Sequence, residues 1–521
     1  MTKQNLARLA DAELARNGDY DSLFFEGDWL RSGDLADRAS RFACGLTGLG
    51  LRPGDRVVVV MANCPEVLIG YSALWRAGGV VTPVLFLVTE DELRHVLSSS
   101  EAVGVITTPE FLPKVRASAA DVPGVRFIIV AGVASPDAGA RGMAPGQNSP
   151  EELGFAEVSG AAPGTIVDRA DDDLAALLYT GGTTGQAKGV PLSHANLYWC
   201  GQAAQRIPID EDLSPALLPL PLAHAYGLVV ACAGSHQPRP HQTILMRWFD
   251  PAGWVEHAAR HRVGRTALVP SMIQMLLDQP LESSDLSSLI AVTSGAAPLA
   301  AQVRREFEAR VPSAIIYEAY GCSESAGVIS SNLAGRRRAG SVGLAADGCE
   351  ITIRDNQEQP LPVGQDGEIC VRSPGIMAGY WHSPEENASA LAAGWFHTGD
   401  IGHLDEEGYL YVVDRKKDLI IRGGFNVYPR DVEDVLLAHP AVAMAAVVGR
   451  PDTRLGEEVV AFVSLRPDST ATEEELTAHA KARLAAHKYP REIHILNQVP
   501  LTSVGKLDRK QLRAQLRTEA A

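Results

Sequence analysis

Residues 178–196 read LYTGGTTGQAKGVPLSHAN, and the rest of the chain is organised around this stretch. The apolar run 175–179 predicts a buried strand, which ends in a loop of glycine and threonine. Glycines let backbone N–H groups approach an anion closely, threonine hydroxyls donate further hydrogen bonds, and Lys188 supplies a positive charge. Ser193 has the side chain of a helix N-cap. The stretch therefore predicts a strand, a phosphate-binding loop and a helix.

The same stretch permits two other interpretations. A glycine-rich surface turn is common in proteins of every function. A P-loop ends in glycine, lysine and a hydroxyl residue, whereas Lys188 follows Ala187 and precedes Gly189, so the P-loop interpretation is weak. The choice between a phosphate loop and a plain turn therefore depends on the remainder of the chain.

The composition is that of a globular protein with an acidic surface. The 521 residues predict about three to four units of usual size. Hydrophobic residues make up 46% of the chain and charged residues 21%, and the net charge is −16. Such a chain has no electrostatic footprint for nucleic acid or anionic lipid, although a few placed cations can still bind a phosphate. We therefore expect no nucleic-acid partner.

The cysteines and the apolar segments indicate the cellular compartment of the protein. Seven cysteines are scattered without a C-x-x-C pair, which predicts reduced thiols in the cytoplasm. The N-terminus has no apolar h-region, and no apolar stretch reaches the length of a membrane span. We expect a cytoplasmic protein without a membrane span, and the composition leaves a homodimer open.

Helical and strand-like patterns alternate from residue 24 to residue 130, as is typical of βα units on a mainly parallel sheet. Residues 134–150 are rich in Ala, Gly, Pro and Ser, which predicts an exposed loop. Later, residues 289–299 and 315–324 each predict a strand followed by a turn, and the first is followed by a helix from Pro298 or Leu299. Both segments place polar groups at the carboxyl ends of strands, where open α/β sheets bind ligands.

The character of the chain changes towards the C-terminus. Residues 340–421 are β-rich, and from about Asp418 short helices and strands form a small α+β unit. We therefore predict an α/β fold. A large N-terminal domain at 1–416 contains βα-built sheets and a β-rich subdomain, and a small C-terminal domain occupies 417–521.

Seven motifs now resemble those of the adenylate-forming superfamily, which contains acyl-CoA synthetases, adenylation domains and beetle-type luciferases. They cover nearly the whole chain and occur in the family's order. They are YTGGTTGQAKGVPLSHANL, PLAHAYG, TSGAAPL, YEAYGCSES, GWFHTGDIG, DRKKDLIIRGGFNVYP and PLTSVGKLDRKQL. One such motif alone is weak, whereas seven in order favour the phosphate loop over a plain turn. The chain is most similar to the AMP-forming acyl-CoA ligases.

The resemblance implies a reaction in two steps. A carboxylate attacks the α-phosphate of ATP, with Mg²⁺ as the metal ion, and an acyl-adenylate and pyrophosphate are formed. A second nucleophile, usually the thiol of coenzyme A or of a carrier protein, then attacks the adenylate. Activation is needed because a carboxylate is a poor acyl donor, while AMP is a much better leaving group than oxide.

The resemblance also implies roles for individual residues. The loop that holds the β- and γ-phosphates corresponds to Thr180, Gly181, Gly182, Thr183, Thr184, Gly185 and Lys188. The rest of the ATP and AMP site corresponds to Gly295, Ala296, Ala297, Glu318, Ala319, Tyr320, Gly321 and Ser323, with Tyr320 stacked on adenine. Asp400 and Arg415 correspond to residues that bind ribose and phosphate. Glu324, with Thr184, corresponds to the Mg²⁺ site, which suits a hard cation.

Lys506 matches the lysine that bridges the substrate carboxylate and the α-phosphate. A cation placed between two approaching anions stabilises them most in a dry site, so we expect Lys506 to be catalytic together with Glu324, Thr184 and His224. His224 matches a position beside the acyl carboxylate, and a buried core histidine is the alternative. The acyl pocket is expected to be lined by His224, Tyr226, Gly295 and Gly321.

Lys417 matches the family's hinge, which implies that the small C-terminal domain is mobile and presents Lys506 for the first step. It would then present Gly423, Gly424 and Phe425 to coenzyme A for the second step. Ala187 departs from the family because many members have proline there, and this should loosen the loop slightly. Cys322 has no histidine beside it in the sequence, so we interpret it as a structural residue rather than a nucleophile.

The leading hypothesis is an acid–thiol ligase that acts on a medium- or long-chain fatty acid. The alternatives are an aryl-, short-chain- or dicarboxylate-CoA ligase, and an acyl-AMP ligase that loads a carrier protein. Ligases of the last kind usually carry an insertion soon after the hinge, and Asp418 to Gly424 runs on without one. A non-catalytic nucleotide-binding protein of the same fold is a further alternative, against which the complete set of polar residues argues.

Overall fold

The computed structural model describes residues 5–132, 150–180, 187–205, 215–467, 469–502 and 506–519, without the side chains of Tyr226, Thr518 and Glu519. The predicted loop at 134–150 therefore lies almost entirely outside the described residues.

The first half of the chain alternates between helices and strands, as the sequence predicts. Its elements are α1 (Leu6–Asn17), β1 (Asp21–Phe25), β2 (Asp28–Arg31), α2 (Ser32–Gly48), β3 (Arg56–Val60), α3 (Pro65–Arg76), β4 (Val80–Pro83), α4 (Glu90–Ser99), β5 (Gly104–Thr107), α5 (Leu112–Ala119), β6 (Phe127–Val130), β7 (Glu151–Gly154), α6 (Phe155–Val158), β8 (Leu174–Thr180), β9 (Lys188–Ser193) and α7 (His194–Ala204).

The middle of the chain continues with β10 (Ala216–Leu218), α8 (Ala225–Ser235), β11 (Thr243–Leu245), α9 (Pro251–Arg260), β12 (Arg265–Leu268), α10 (Pro270–Leu277), β13 (Ala291–Ser294), α11 (Ala301–Arg310), β14 (Ile315–Tyr320), β15 (Ser330–Ser331), β16 (Leu344–Ala345), β17 (Glu350–Arg354), β18 (Gly367–Arg372), α12 (Pro384–Ala390), β19 (Phe396–Leu404) and β20 (Leu410–Arg415). The last part contains β21 (Ile420–Arg422), β22 (Phe425–Val427), α13 (Pro429–Leu437), β23 (Val442–Asp452), β24 (Gly456–Leu465), α14 (Glu473–Lys481), β25 (Glu492–Leu496) and α15 (Arg509–Glu519).

Local sequence signals fix several of these boundaries. Ser193 caps α7 because its side chain accepts a hydrogen bond from the Asn196 backbone, as predicted. The sequence predicts a capping box at Thr472 and Glu475 and a helix that opens at Pro429; the box forms at the start of α14, and Pro429 opens α13. The helix predicted from Pro298 or Leu299 begins two or three residues later, at Ala301.

Two large sheets form most of the molecule in the described ranges. One has seven strands in the order β7-β6-β5-β3-β4-β8-β9, parallel except for the antiparallel pair β8 and β9. The other has nine strands in the order β16-β15-β14-β13-β12-β10-β11-β1-β2, and its centre is parallel. The mainly parallel sheet expected from the alternating pattern is thus confirmed.

Helix α3 lies between the two large sheets and ties them together. Its buried residues Ile69 and Leu74 belong to the same apolar cluster as residues of both sheets. The hydroxyl of Tyr71 donates to the Leu222 carbonyl at 3.1 Å, and the indole nitrogen of Trp75 donates to the Ala175 carbonyl at 3.0 Å. The side-chain amide of Asn63, just after β3, donates to the carbonyls of Leu220 and Met246, just after β10 and β11, so the carboxyl ends of the two sheets meet in a common region.

Two smaller sheets follow. Strands β17, β18, β19 and β20 form an antiparallel sheet, which is the predicted β-rich part. Strands β22, β21, β24 and β23, with β25 beside β24, form the C-terminal α+β unit together with α13, α14 and α15. This is the expected α/β fold with a large N-terminal and a smaller C-terminal domain. The boundary at residues 416 and 417 and the mobility of the C-terminal domain stay predictions.

Candidate active site

Two antiparallel strands, β8 and β9, flank the glycine-rich part of the stretch 178–196. Thr180 at the end of β8 pairs with Lys188 at the start of β9, and the two strands are antiparallel. The sequence predicted a loop leading directly to the helix, so the strand β9 was not expected. Residues 181–186, which include the predicted phosphate ligands Gly181, Gly182, Thr183, Thr184 and Gly185, lie outside the described residues.

Strand β13 ends in the turn of Gly295, Ala296 and Ala297. Ala296 has a φ of +69°, which is uncommon for a residue with a side chain and is frequent at functional sites. A Cβ atom on Gly295 would lie 3.3 Å from the Ala319 carbonyl oxygen, so this turn packs closely against β14. The predicted adenine-site residues on the two neighbouring strands are therefore brought together.

Strand β14 carries Glu318, Ala319 and Tyr320 to the same edge. The carboxylate of Glu318 forms a buried ion pair with Arg304 of α11 at 3.0 Å, so any contact with a nucleotide would fall to its backbone. Gly321 follows the strand, and a Cβ there would lie 2.2 Å from the Gly327 carbonyl oxygen. Only glycine fits this close approach of two backbone segments.

Asp400 is the centre of a polar group beneath this edge. It is 8% exposed, and its Oδ2 atom accepts a hydrogen bond from the Tyr320 hydroxyl at 2.6 Å. Its Oδ1 atom lies 3.3 Å from Nε of Arg415, which faces it across β19 and β20. Burial raises the pKa of Asp400, while the Arg415 guanidinium acts in the opposite direction. A carboxylate with four acceptor positions can still accept two ribose hydroxyls here.

Glu324 lies in a short 3₁₀ turn at Ser323–Ser325. Its Oε1 atom accepts a hydrogen bond from the Tyr380 hydroxyl at 2.8 Å. Burial and the Glu324 charge raise the pKa of the neighbouring Cys322 thiol well above its usual value. Because the thiolate is the nucleophilic form, a raised pKa agrees with the interpretation of Cys322 as a structural residue.

Lys506 enters this group from the C-terminal domain. Burial and then the Arg415 charge lower its pKa to about 8, while Asp400 and Glu324 act in the opposite direction. The backbone N–H of Thr502 donates to the Lys506 carbonyl at 2.7 Å, which closes the loop from which the side chain extends. The structure thus brings Lys506 within electrostatic range of Asp400, Arg415 and Glu324, which come from three other segments.

His224 lies between β10 and α8, close to Lys506. Burial and then the charge of Lys506 lower its pKa to about 4, so the imidazole is neutral at pH 7. The nearby side chain of Tyr226 lies outside the described residues. Among the described residues, no group of three or more His, Cys, Asp or Glu side chains could hold a metal ion.

The predicted hinge residue Lys417 lies within electrostatic range of Asp400 and Arg415, whereas the predicted coenzyme A residues make their contacts elsewhere. Burial and the Arg415 charge lower the pKa of Lys417. Gly423 and Gly424, with φ of +59° and +82°, form the two-residue turn between β21 and β22, which requires positive φ at both positions. Phe425 is 58% exposed and stacks on His487 at 4.8 Å between ring centroids. The contacts of the glycine turn and of Phe425 lie within the C-terminal domain.

Comparison with known proteins shows the family of the chain. Residues 10–381 match the AMP-binding enzyme family, and residues 431–506 match the AMP-binding enzyme C-terminal domain. The chain belongs to the AMP-binding enzyme family. As an AMP-binding enzyme it is a ligase of the adenylate-forming, AMP-forming CoA-ligase class, which confirms the resemblance read from the seven motifs. Membership of this class supports the use of ATP and coenzyme A.

Three relatives illustrate the range of this AMP-binding enzyme's similarity. It is 33% identical over 535 residues to a long-chain-fatty-acid–CoA ligase of Bacillus subtilis, covering 98% of this chain and 94% of that one. It is 34% identical over 493 residues to a feruloyl-CoA synthase of an Amycolatopsis species, covering 94% of each. The crystal structure of ATP-bound MatB from Rhodopseudomonas palustris superposes with a TM-score of 0.86 at 31% identity, covering all of both chains.

Sequence reasoning about this AMP-binding enzyme missed three residues at the site. Tyr380 bonds to Glu324, Glu386 lies 3.2 Å from the ammonium group of Lys188, and His95 Nε2 donates to the Ala187 carbonyl at 2.9 Å. All three lie outside the motifs that carried the resemblance. No local signal distinguishes them from surface residues, because only the tertiary fold brings their helices and loops to the site.

Two further findings bear on the expectations from composition. All seven cysteines lie in the described part of the chain and none forms a disulfide, in agreement with the expected free thiols. Among the described helices, none has both the length and the apolar character required to cross a membrane.

Proposed function

We propose that this enzyme activates a medium- or long-chain fatty acid with ATP and transfers the acyl group from an acyl-adenylate to coenzyme A. The observation that carries the proposal is the position of Lys506 among Asp400, Arg415 and Glu324. The substrate carboxylate and the α-phosphate are both anions, and negative charge builds on the phosphate as they react. A cation with little water around it stabilises this charge more strongly than a solvated one.

The other polar residues divide the binding of ATP between them. Asp400 and Arg415 bind the ribose, and the turn at residues 295–297 receives adenine beside Tyr320. Lys188 binds the phosphates that leave as pyrophosphate. His224 is neutral at pH 7, so it orients the acyl carboxylate by a hydrogen bond and does not bring a second positive charge beside Lys506.

The Mg²⁺ site of this proposal is built on Glu324. One carboxylate oxygen is occupied by the Tyr380 hydroxyl, and the carboxylate retains further lone pairs for a hard cation. Mg²⁺ usually binds through one or two protein carboxylates together with substrate phosphates, so a single acidic residue fits this ion better than a closed cage would. When bound, the ion neutralises charge on the ATP phosphates. Thr184, the second predicted ligand, lies outside the described residues.

The choice of a fatty acid rests on relatives such as the long-chain-fatty-acid–CoA ligase of Bacillus subtilis. An aryl acid is the second candidate, because the feruloyl-CoA synthase is 34% identical over 94% of both chains. The arginine cluster at 336–338 does not favour a dicarboxylate. Arg337 pairs with Glu308, and Arg338 pairs with Asp405 and Glu407, so these two charges already have carboxylate partners.

Coenzyme A is the proposed acceptor rather than a carrier protein. Strand β21 begins at Ile420, two residues after Asp418, without an insertion after the hinge. A rotation about Lys417 would remove Lys506 from the α-phosphate and bring the exposed turn at Gly423 and Gly424 to the acyl-adenylate. The dispersed free cysteines support a cytoplasmic location. Light scattering would test the homodimer that the sequence leaves open.

The experiment uses pyrophosphate release with a panel of acids, followed by thioester formation with and without coenzyme A. The panel contains saturated fatty acids of increasing length, ferulate, coumarate, benzoate and a short dicarboxylate. We expect the highest kcat/KM for a medium- or long-chain fatty acid and thioester formation only when coenzyme A is present. A preference for ferulate would establish the aryl alternative. Pyrophosphate release without thioester would favour a carrier protein as the acceptor.

A further inference from the structure

Lys188, which is assigned to the ATP phosphates, forms an ion pair within the protein. The Nζ atom of Lys188 lies 3.2 Å from Oε1 of Glu386, and the two side chains are 31% and 42% exposed. Glu386 belongs to the first turn of α12, far from Lys188 in the sequence. The same ammonium group lies over the ring of Tyr380, 5.4 Å from its centroid. Lys188 therefore already has an anionic partner and an aromatic partner.

The backbone around Lys188 is held firmly, so its side chain is the part that can change partners. Lys188 pairs with Thr180 across the hairpin. On one side, His95 Nε2 donates to the Ala187 carbonyl at 2.9 Å, and on the other, the backbone N–H of Trp381 donates to the Gly189 carbonyl at 2.8 Å. A lysine ammonium group on a flexible four-carbon stem can move between two anions without movement of these backbone contacts.

We propose that Glu386 is a positioning residue that holds the Lys188 ammonium group in the ATP-free enzyme and competes with the ATP phosphates for it. This inference rests on the proposed assignment of Lys188 to the phosphates. ATP binding requires Lys188 to leave Glu386, and after adenylation the return of Lys188 to Glu386 assists the departure of pyrophosphate. The carboxylate thereby weakens the binding of substrate and product phosphates alike.

The charge and surroundings of Glu386 support this exchange. A backbone hydrogen bond and then the Lys188 ion pair lower the pKa of Glu386, so the carboxylate is ionised at neutral pH. Tyr380 links the pair to the proposed metal ligand, because its ring lies under Lys188 while its hydroxyl donates to Glu324 at 2.8 Å. An exposed ion pair is weak, as an exchangeable contact requires. Its loss should change a binding constant, such as the KM for ATP, by about two- to fivefold.

The test compares Glu386→Gln with Glu385→Gln in the full-length enzyme. Glu385 precedes Glu386 in the same helical turn, is exposed, and has no recorded ion pair with any residue that the structure describes. ATP–pyrophosphate exchange gives the KM for ATP. Inhibition of thioester formation by added pyrophosphate gives the Ki for pyrophosphate. We expect Glu386→Gln to lower both constants by about two- to fivefold. Glu385→Gln should leave both at the wild-type values.

Ionic strength provides a readout that a purely structural role would not change. The difference between Glu386→Gln and wild type should shrink at about 1 M salt, where the Debye length is about 3 Å. Unchanged KM and Ki in Glu386→Gln, or an equal change in Glu385→Gln, would overturn the inference. If wild-type enzyme shows no exchange with any acid, the proposed function fails instead. If Lys188→Met raises the KM for ATP while Glu386→Gln has no effect, only the role of Glu386 fails.

Discussion

Lys188 and Lys506 are two cations of the same residue type in very different surroundings. Lys188 starts a strand of the N-terminal domain, faces solvent in part, and pairs with Glu386. Lys506 extends from a loop of the C-terminal domain into the polar group around Asp400, where burial lowers its pKa to about 8. The first is a partly hydrated charge, which we propose exchanges partners at small cost. The second is a partly desolvated charge whose effect is greatest when anions arrive beside it.

The comparison predicts a division of labour between binding and chemistry. A hydrated cation on a fixed hairpin contributes mainly to the affinity for ATP and pyrophosphate. A desolvated cation between two reacting anions contributes mainly to the rate of adenylate formation, because its interaction strengthens in the transition state. Variants at the two positions should therefore differ in whether KM or kcat changes.

The largest effect is expected at Lys506. Lys506→Ala should lower kcat for adenylation by about 10²–10³, the usual loss when one electrostatic group at a transition state is removed. The Kd for ATP, measured by calorimetry, should change little, because Asp400, Arg415 and Lys188 remain. Normal ATP–pyrophosphate exchange in this variant would refute the assignment of Lys506 to the chemical step.

The next effect is expected at Lys188. Lys188→Met keeps most of the side-chain length and removes the charge, and it should raise the KM for ATP about tenfold or more, since hydrogen bonds to charged groups are the strong ones. The kcat at saturating ATP should fall much less than in Lys506→Ala. A variant that loses kcat while its KM stays at the wild-type value would abolish the distinction between the two lysines.

The pH dependence should separate the lysines as well. A pKa of about 8 means that Lys506 in the free enzyme is charged below pH 8 and loses its proton above it. The kcat/KM for ATP, which reports groups of the free enzyme, should therefore fall about tenfold for each pH unit above 8. Lys506→Arg, which keeps its charge, should lack this limb whatever its absolute rate. A wild-type profile that stays flat to pH 10 would contradict the lowered pKa.

A smaller effect is expected at the ribose site. Tyr320→Phe keeps the ring and removes the hydroxyl that donates to Asp400 at 2.6 Å. We expect a loss of about three- to tenfold in kcat/KM for ATP, because one hydrogen bond to a carboxylate is lost. Tyr411→Phe is the matched control, since the Tyr411 hydroxyl on β20 also donates to a carboxylate, that of Asp405, at 3.4 Å. Equal effects of the two substitutions would contradict the assignment of Tyr320 to the ribose site.

Local sequence signals predicted the elements whose causes are local. The Ser193 cap of α7, the capping box of α14 and the opening of α13 at Pro429 depend on neighbouring residues only, and each is confirmed. The mainly parallel sheet was predicted because helical and strand-like patterns alternate from residue 24 to residue 130, as in βα units. Strand β9 was missed, because Lys188 and Gly189 carry no strand signal and its pairing with β8 decides its conformation.

The candidate site likewise contains residues that local motifs predicted and contacts that only packing explains. Motifs within single segments predicted Asp400, Arg415, Glu324 and Lys506, while the ion pair of Lys188 with Glu386 has no signal in either segment. The carboxylate of Glu318 is another example, because its ion pair with Arg304 depends on how α11 packs against β14. Contacts between segments depend on packing, which no local pattern encodes.

The sequence by itself determined the α/β class, the family and the residue types available for phosphate, ribose and carboxylate, because these depend on periodicity and on motifs within short segments. Only the tertiary structure decided which of these charges are hydrated and which are desolvated. Lys188 and Lys506 are the same residue type. Each follows a small residue in its motif, alanine for Lys188 and glycine for Lys506. Their difference arises because burial and neighbouring charges, which the fold assembles from distant segments, set the free energy of a charged group.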